Sequence, residues 1–154
     1  MNTLDTPPIG LRGPGIFLAQ FMSAEAPFDT LANIAQWAAS QGYKAIQLPT
    51  SGTQYIHLAR AAESQDYCDE LKATCAQAGV EISELSTHLQ GQLVAVHPAF
   101  DALFDDFAPA HLRGQPKART ESASELCKLS ARASQRLGLK AHATCSGALL
   151  WPYL

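Results

Sequence analysis

The feature that most constrains this chain is a unit that occurs three times: an amphipathic helical stretch ends at a glycine, and an apolar stretch of strand length follows at once. The copies are Gly42-Tyr-Lys-Ala-Ile-Gln-Leu48, Gly79-Val-Glu-Ile-Ser-Glu-Leu85 and Gly138-Leu-Lys-Ala-His-Ala-Thr144. A glycine at that point can take the left-handed conformation that closes a helix. Before Gly42, the residues Leu31, Ile34, Ala35 and Ala38 recur at helical spacing, with Asp29 or Thr30 placed to cap the start. The second helix carries Tyr67, Leu71, Thr74, Cys75 and Ala78 and is expected to begin near Ser64 or Asp66. The third carries Leu126, Leu129, Ser130, Ala133 and Leu137 and is expected to begin near Ser122 or Ser124. Such narrow stripes of small residues let a helix lie close on a sheet.

An apolar run from Gly15 to Met22 supplies a first strand, so the order reads β-α-β-α-β-α-β. Strands that alternate with helices predict right-handed crossovers and a parallel sheet. Both a barrel and an open doubly wound sheet with a cleft at its switch point accept this pattern. The first strand-to-helix turn, Ser23 to Phe28, lacks the glycine-rich phosphate loops of open nucleotide-binding sheets. The connection from about Ser86 to Glu121 is long and follows a strand, where barrel enzymes place substrate contacts. The expected fold is therefore α/β, a partial (β/α)8 TIM barrel of about four parallel strands with outer helices. Residues 1–14 are expected to be an irregular N-terminal segment, and residues 15–154 the half-barrel.

A full barrel takes about 250 residues. With 154, the chain is expected either to be a truncated product or to pair with a second copy through its open sheet edges. The apolar end, Leu149-Leu-Trp-Pro-Tyr-Leu154, reads as a cut. A net charge of −3 with scattered Lys and Arg gives no footprint for nucleic acid or an anionic membrane. The longest apolar runs fall far short of the roughly 20 residues that span a bilayer. The opening residues lack a signal-peptide pattern, so the cytoplasm is the default location. The cysteines, Cys68, Cys75, Cys127 and Cys145, include no C-x-x-C pair and are expected to be reduced.

Particular stretches go further than periodicity. Gly42-Tyr-Lys-Ala-Ile-Gln-Leu-Pro49, Glu84-Leu-Ser-Thr-His-Leu-Gln-Gly91, and Ala141-His-Ala-Thr-Cys-Ser-Gly-Ala148 followed by Trp151-Pro152 resemble the bacterial sugar phosphate isomerase/epimerase family of xylose isomerase-like barrels. The resemblance runs from about Gly15 to Leu154. It implies metal-assisted proton transfer between adjacent carbons of a sugar or sugar phosphate, through an enediolate-type intermediate. The divalent metal of that family is held by carboxylates and a histidine from strands five to eight. With strand four as its last, this chain is expected to bind no metal alone and to be an inactive fragment. The alternative is a non-catalytic half-barrel that dimerises or docks on a partner chain.

Side chains alternate along a strand, so an extended third strand would put Ile82, Glu84, Ser86 and His88 on one side. Glu84 and His88 are the catalytic candidates, since a carboxylate and an imidazole can orient a sugar hydroxyl or pass a proton. The plainer roles are a pair between Glu84 and Lys44 or another lumen residue, and a loop cap from His88. His142, Thr144 and Ser146 form the corresponding set on strand four, and Trp151 could stack on a sugar ring. Sugar contacts are thus expected from Gln47, His142, Ser146 and Trp151. His88, His97 and His111 match no compact metal spacing, and His57 is expected to be a packed or surface residue. Asp101, Asp105 and Asp106, set among Phe100, Leu103, Phe104 and Phe107, are expected to lie on a short amphipathic helix over the site mouth. Cys145-Ser146-Gly147 ends a strand but is not a G-x-S-x-G elbow.

Overall fold

A computed structural model describes residues 13–145. Ser146 and Trp151 lie outside the described residues, as does nearly all of the 1–14 segment. Four strands, β1 (Gly15–Phe17), β2 (Ala45–Pro49), β3 (Glu81–Thr87) and β4 (Ala141–Thr144), form one all-parallel sheet in the order β1-β2-β3-β4. The order contains no reversal, so these strands build no switch point of the open doubly wound kind. Crossovers between sequential parallel strands are right-handed as a rule, which puts their helices on one face.

They are α1 (Leu31–Ser40), α2 (Leu58–Glu63), α3 (Gln65–Ala78), α4 (His88–Gln92), α5 (Asp101–Phe104) and α6 (Pro116–Leu137). On that face α1 packs on α3, and α2 and α3 pack on α6. Thr30 caps α1 by accepting from Asn33 N at 3.2 Å, while Asp29 holds the Asn33 side chain. Ser64 caps α3 in the same way, accepting from Tyr67 N. Gly79 and Gly138 close α3 and α6 in the left-handed region, at φ 86° and 75°. Ile46, Leu48 and Leu85 of the sheet are fully buried against Ile34, Ala38, Cys75 and Ala133 of the helices. Each such side chain contributes about 1.5–3 kcal/mol of burial.

Three expectations need correction. The first strand ends at Phe17 instead of running to Met22, because Ala19–Phe21 winds into a 3-10 turn. That turn brings Phe21 onto Phe28 and Trp37, with ring centroids 5.7 and 4.8 Å apart. Helix α6 starts at Pro116, well before Ser122, since a proline at the first helical position loses no hydrogen bond and arrives with helical φ. The long connection is not a loop: it holds α4, α5, three 3-10 turns and the start of α6 around a small core of Leu93, Phe104, Ala108 and Ala123.

One irregularity sets up the site. Ile46 pairs with Ile82 and Gln47 with Glu84, which leaves Ser83 as an extra residue in β3. Ser83 is exposed, and its Oγ donates to the Ile46 carbonyl at 3.2 Å. Across this bulge the alternation shifts by one. Ile82 therefore joins the helix-side core, contrary to its expected place beside Glu84, while Glu84 turns to the opposite face.

Candidate functional site

The face opposite the helices carries Gln47, Glu84 and Ser86. Phe17, Gln47, Glu84 and Ala141 form one row across all four strands, and Pro49, Ser86 and Ala143 form the next row toward the C-terminal ends. Gln47 Nε2 donates to Glu84 Oε1 at 2.5 Å. Glu84 thus pairs with the amide of its strand neighbour and not with Lys44. Strand β3 ends at Thr87, and His88 opens α4, yet the His88 ring stays on the same face. Its Nδ1 lies 3.1 Å from Ser86 Oγ, and the ring meets Phe17 edge-on with centroids 5.0 Å apart.

Burial pushes the His88 pKa below the usual imidazole value, so the ring is neutral at pH 7 and can accept a proton. Its Nε2 and the Glu84 Oε2 form no hydrogen bond among the described residues. Gln47, Glu84, Ser86 and His88 therefore converge at the C-terminal side of two adjacent strands, with two polar atoms left for a ligand.

His142 does not join them. It sits level with Leu85, on the helix side, where Nε2 meets Thr87 Oγ1 and Nδ1 meets Ser134 Oγ, each at 3.1 Å. Both ring nitrogens are used to tie β4 to β3 and α6. Its pKa is pushed down by burial, with Glu84 acting weakly the other way. Thr144 shares that side, where a β-carbon on Gly91 would run into the Thr144 hydroxyl and the Cys145 carbonyl. Only glycine lets α4 sit this close to β4.

His57 accepts from Arg60 N to cap α2, His97 caps a 3-10 turn, and His111 is exposed. Among the described residues no three His, Cys, Asp or Glu side chains come together. Glu84 and His88 on the candidate face fall short of the three protein ligands of a catalytic zinc site.

Residues that composition and periodicity passed over also shape this region. Arg119 on α6 is 1% exposed. Its Nη1 donates to the Asp101 carbonyl at 2.7 Å and to Asp105 Oδ1 at 2.5 Å, and its Nη2 donates to Asp101 Oδ1 at 2.6 Å. The Gly114 N–H on Oδ2, and then Arg119, hold the Asp105 carboxyl below the usual range. Two of the three aspartates therefore clamp α5 to α6. The readable signal was a charged residue four positions before Ala123 on the inner stripe of α6, matched by aspartates at i and i+4.

No protein-family model matches this sequence, and no curated protein matches it.

Proposed function

We propose that the face bearing Gln47, Glu84, Ser86 and His88 is one wall of a sugar-binding, proton-transfer site, in the N-terminal half of a xylose isomerase-like (β/α)8 barrel. The observation that carries this reading is the convergence of those four side chains on the single face that a sequentially ordered parallel sheet turns away from its helices. That face becomes the lumen when such a sheet curls into a barrel, and its C-terminal end is where barrel enzymes work. Glu84, oriented by Gln47, accepts a hydrogen bond from a sugar hydroxyl. Neutral His88 takes the proton from the carbon beside the carbonyl and returns it to the former carbonyl carbon, while Glu84 passes the hydroxyl proton from one oxygen to the other. Phe17 and Ser86 fix the imidazole while it does so. The family's divalent metal would stabilise the enediolate charge, and its ligands lie outside the set found here.

A titration of 15N-labelled chain with xylose and with glucose 6-phosphate, glycerol serving as control, tests the reading. The sugars should shift the Gln47 side-chain amide and the His88 ring resonances, and Glu84→Gln should weaken binding about tenfold or more, the worth of one charge-assisted hydrogen bond. Shifts located elsewhere, or binding indifferent to Glu84→Gln, would refute it.

A second reading draws on the sheet edges. The outer edges of β1 and β4 form no ladder among the described residues. Paired edges of two copies would give a non-catalytic dimer, which sedimentation velocity separates from a monomer.

A further inference from the structure

Helix α4 is too short to hold its own shape. It has five residues, His88–Gln92, whereas isolated helices shorter than about 12–15 residues are marginal in water. It also lacks a side-chain cap, because the hydroxyl of Thr87, the residue before it, is committed to His142 Nε2 at 3.1 Å. Its place must come from contacts with the rest of the fold, and His88, its first residue, moves wherever the helix moves.

The far end is held by packing. Leu93, just beyond the helix, is buried with Phe104, Ala108 and Ala123, and Gly91 lies close against Thr144 and Cys145. The segment around His88 is held differently, through Thr50 just after β2. Thr50 N and Oγ1 both donate to the Ser86 carbonyl, at 3.0 and 2.8 Å. With its proton directed there, Oγ1 can only accept from other groups, as can the Thr50 carbonyl. Gln90 Nε2 lies 3.1 Å from that carbonyl and 3.4 Å from Oγ1, and donates to both. The residues two before and two after His88 are thus fastened to the same threonine.

Thr50 and Gln90 are buried, so water is poorly placed to take over these bonds. Both line a cavity with Leu126 and Leu129 of α6, behind the sheet, and neither joins the row of Glu84 or of Ser86. On the candidate face the His88 ring rests on Ser86 Oγ, 3.1 Å from Nδ1, and on the Phe17 ring, with centroids 5.0 Å apart. A hydrogen bond is gone by about 3.6 Å, so about half an ångström of movement in α4 is enough to free the imidazole.

We propose that Thr50 and Gln90 are positioning residues for His88, a strap behind the sheet that fixes the imidazole on its opposite face. They touch no substrate. Their catalytic meaning rests on the proton-transfer reading above: an imidazole that swings away from Ser86 and Phe17 holds its Nε2 off the reacting carbon.

Nuclear Overhauser spectra of the sugar-free chain test this through the cross-peaks between the His88 and Phe17 ring protons. Gln90→Met keeps a side chain of similar length, removes the donor, and should abolish them. Thr50→Val, which removes the hydroxyl shared by Ser86 and Gln90, should weaken them; Thr50→Ser, which keeps both oxygens, should leave them as in the parent. Gly79→Ala, beyond the other end of β3, should lower the unfolding midpoint and leave the cross-peaks intact, which separates positioning from a general loss of stability. If Gln90→Met does not fold, the two Thr50 variants decide. Cross-peaks undiminished by Gln90→Met and Thr50→Val, or diminished as much by Gly79→Ala, would overturn the proposal. Because no sugar is present, a failure of xylose to bind the parent chain overturns the sugar site alone.

Discussion

Replacing Arg119 by methionine tests whether the clamp between α5 and α6 is what holds the long connection in place. The substitution keeps an apolar stem of similar length and removes the guanidinium, with its hydrogen bonds to the Asp101 carbonyl and to both carboxylates. Removing one partner of a fully buried ion pair costs about 3–5 kcal/mol. Here the side chains left behind are 29% exposed at Asp101 and 20% at Asp105, so water can rehydrate them in part. The cost falls to about 3 kcal/mol, which at a urea slope of about 2 kcal/mol/M lowers the unfolding midpoint by about 1.5 M. Arg119 also sits in the first turns of α6, where the helix dipole disfavours a cation. The converse change, Asp101→Asn with Asp105→Asn, strands that cation with no carboxylate and should destabilise more than Arg119→Met. Urea unfolding followed by circular dichroism measures both variants, and hydrogen exchange should show the loss beginning at the amides of 101–107. The reasoning fails if Arg119→Met stays within about 0.5 kcal/mol of the parent, or costs more than the double asparagine variant.

Further expectations concern single groups. Thiol titration with a disulfide reagent should modify exposed Cys145 first and Cys127 more slowly; Cys68 and Cys75 are buried, with the Cys75 thiol pushed up to about 12, and should react only after unfolding. His88 and His142 hold protons less tightly folded than unfolded, so the unfolded chain gains the proton advantage as pH drops below 6.5. Stability is fully present above that value and falls as pH descends through the folded pKa values, which urea midpoints measured between about pH 7 and pH 5 should show. Gly79→Ala puts a β-carbon into open space at φ 86°, so its cost is backbone strain alone, about 1–2 kcal/mol by thermal unfolding.

What the sequence made legible was whatever depends on neighbours along the chain. Gly42, Gly79 and Gly138 marked helix ends because left-handed φ is a local demand, and Thr30 and Ser64 marked starts because a cap reaches only to the third residue. Strand order is different in kind: the same alternation suits reversing and non-reversing sheets, and pairing with a distant segment decides. The candidate site shows the same division. Glu84 and His88 were readable from alternation, but the pairing of Glu84 with Gln47 and the packing of His88 on Phe17 join strands whose approach no local pattern encodes. His142 was misplaced because its face is decided by its register with β3, where it falls opposite Leu85, and no pattern within β4 encodes that register. Helix α2 went unseen because its six residues are too short for periodicity and its cap is an imidazole, His57, instead of a hydroxyl.

The extra residue at Ser83 makes β3 a strand written in two reading frames. Ahead of it the even position, Ile82, serves the core; after it the odd positions, Leu85 and Thr87, take over that duty, which frees Glu84 and Ser86 for the opposite face. Removal of that one residue would restore a single frame and force a choice: with Ile82 kept in place, the carboxylate would be driven into the apolar layer, and with Glu84 kept in place, the isoleucine would be pushed out into water. Packing and chemistry in this strand are therefore inherited together through a single inserted position, and neither can drift by one residue while the other stands still.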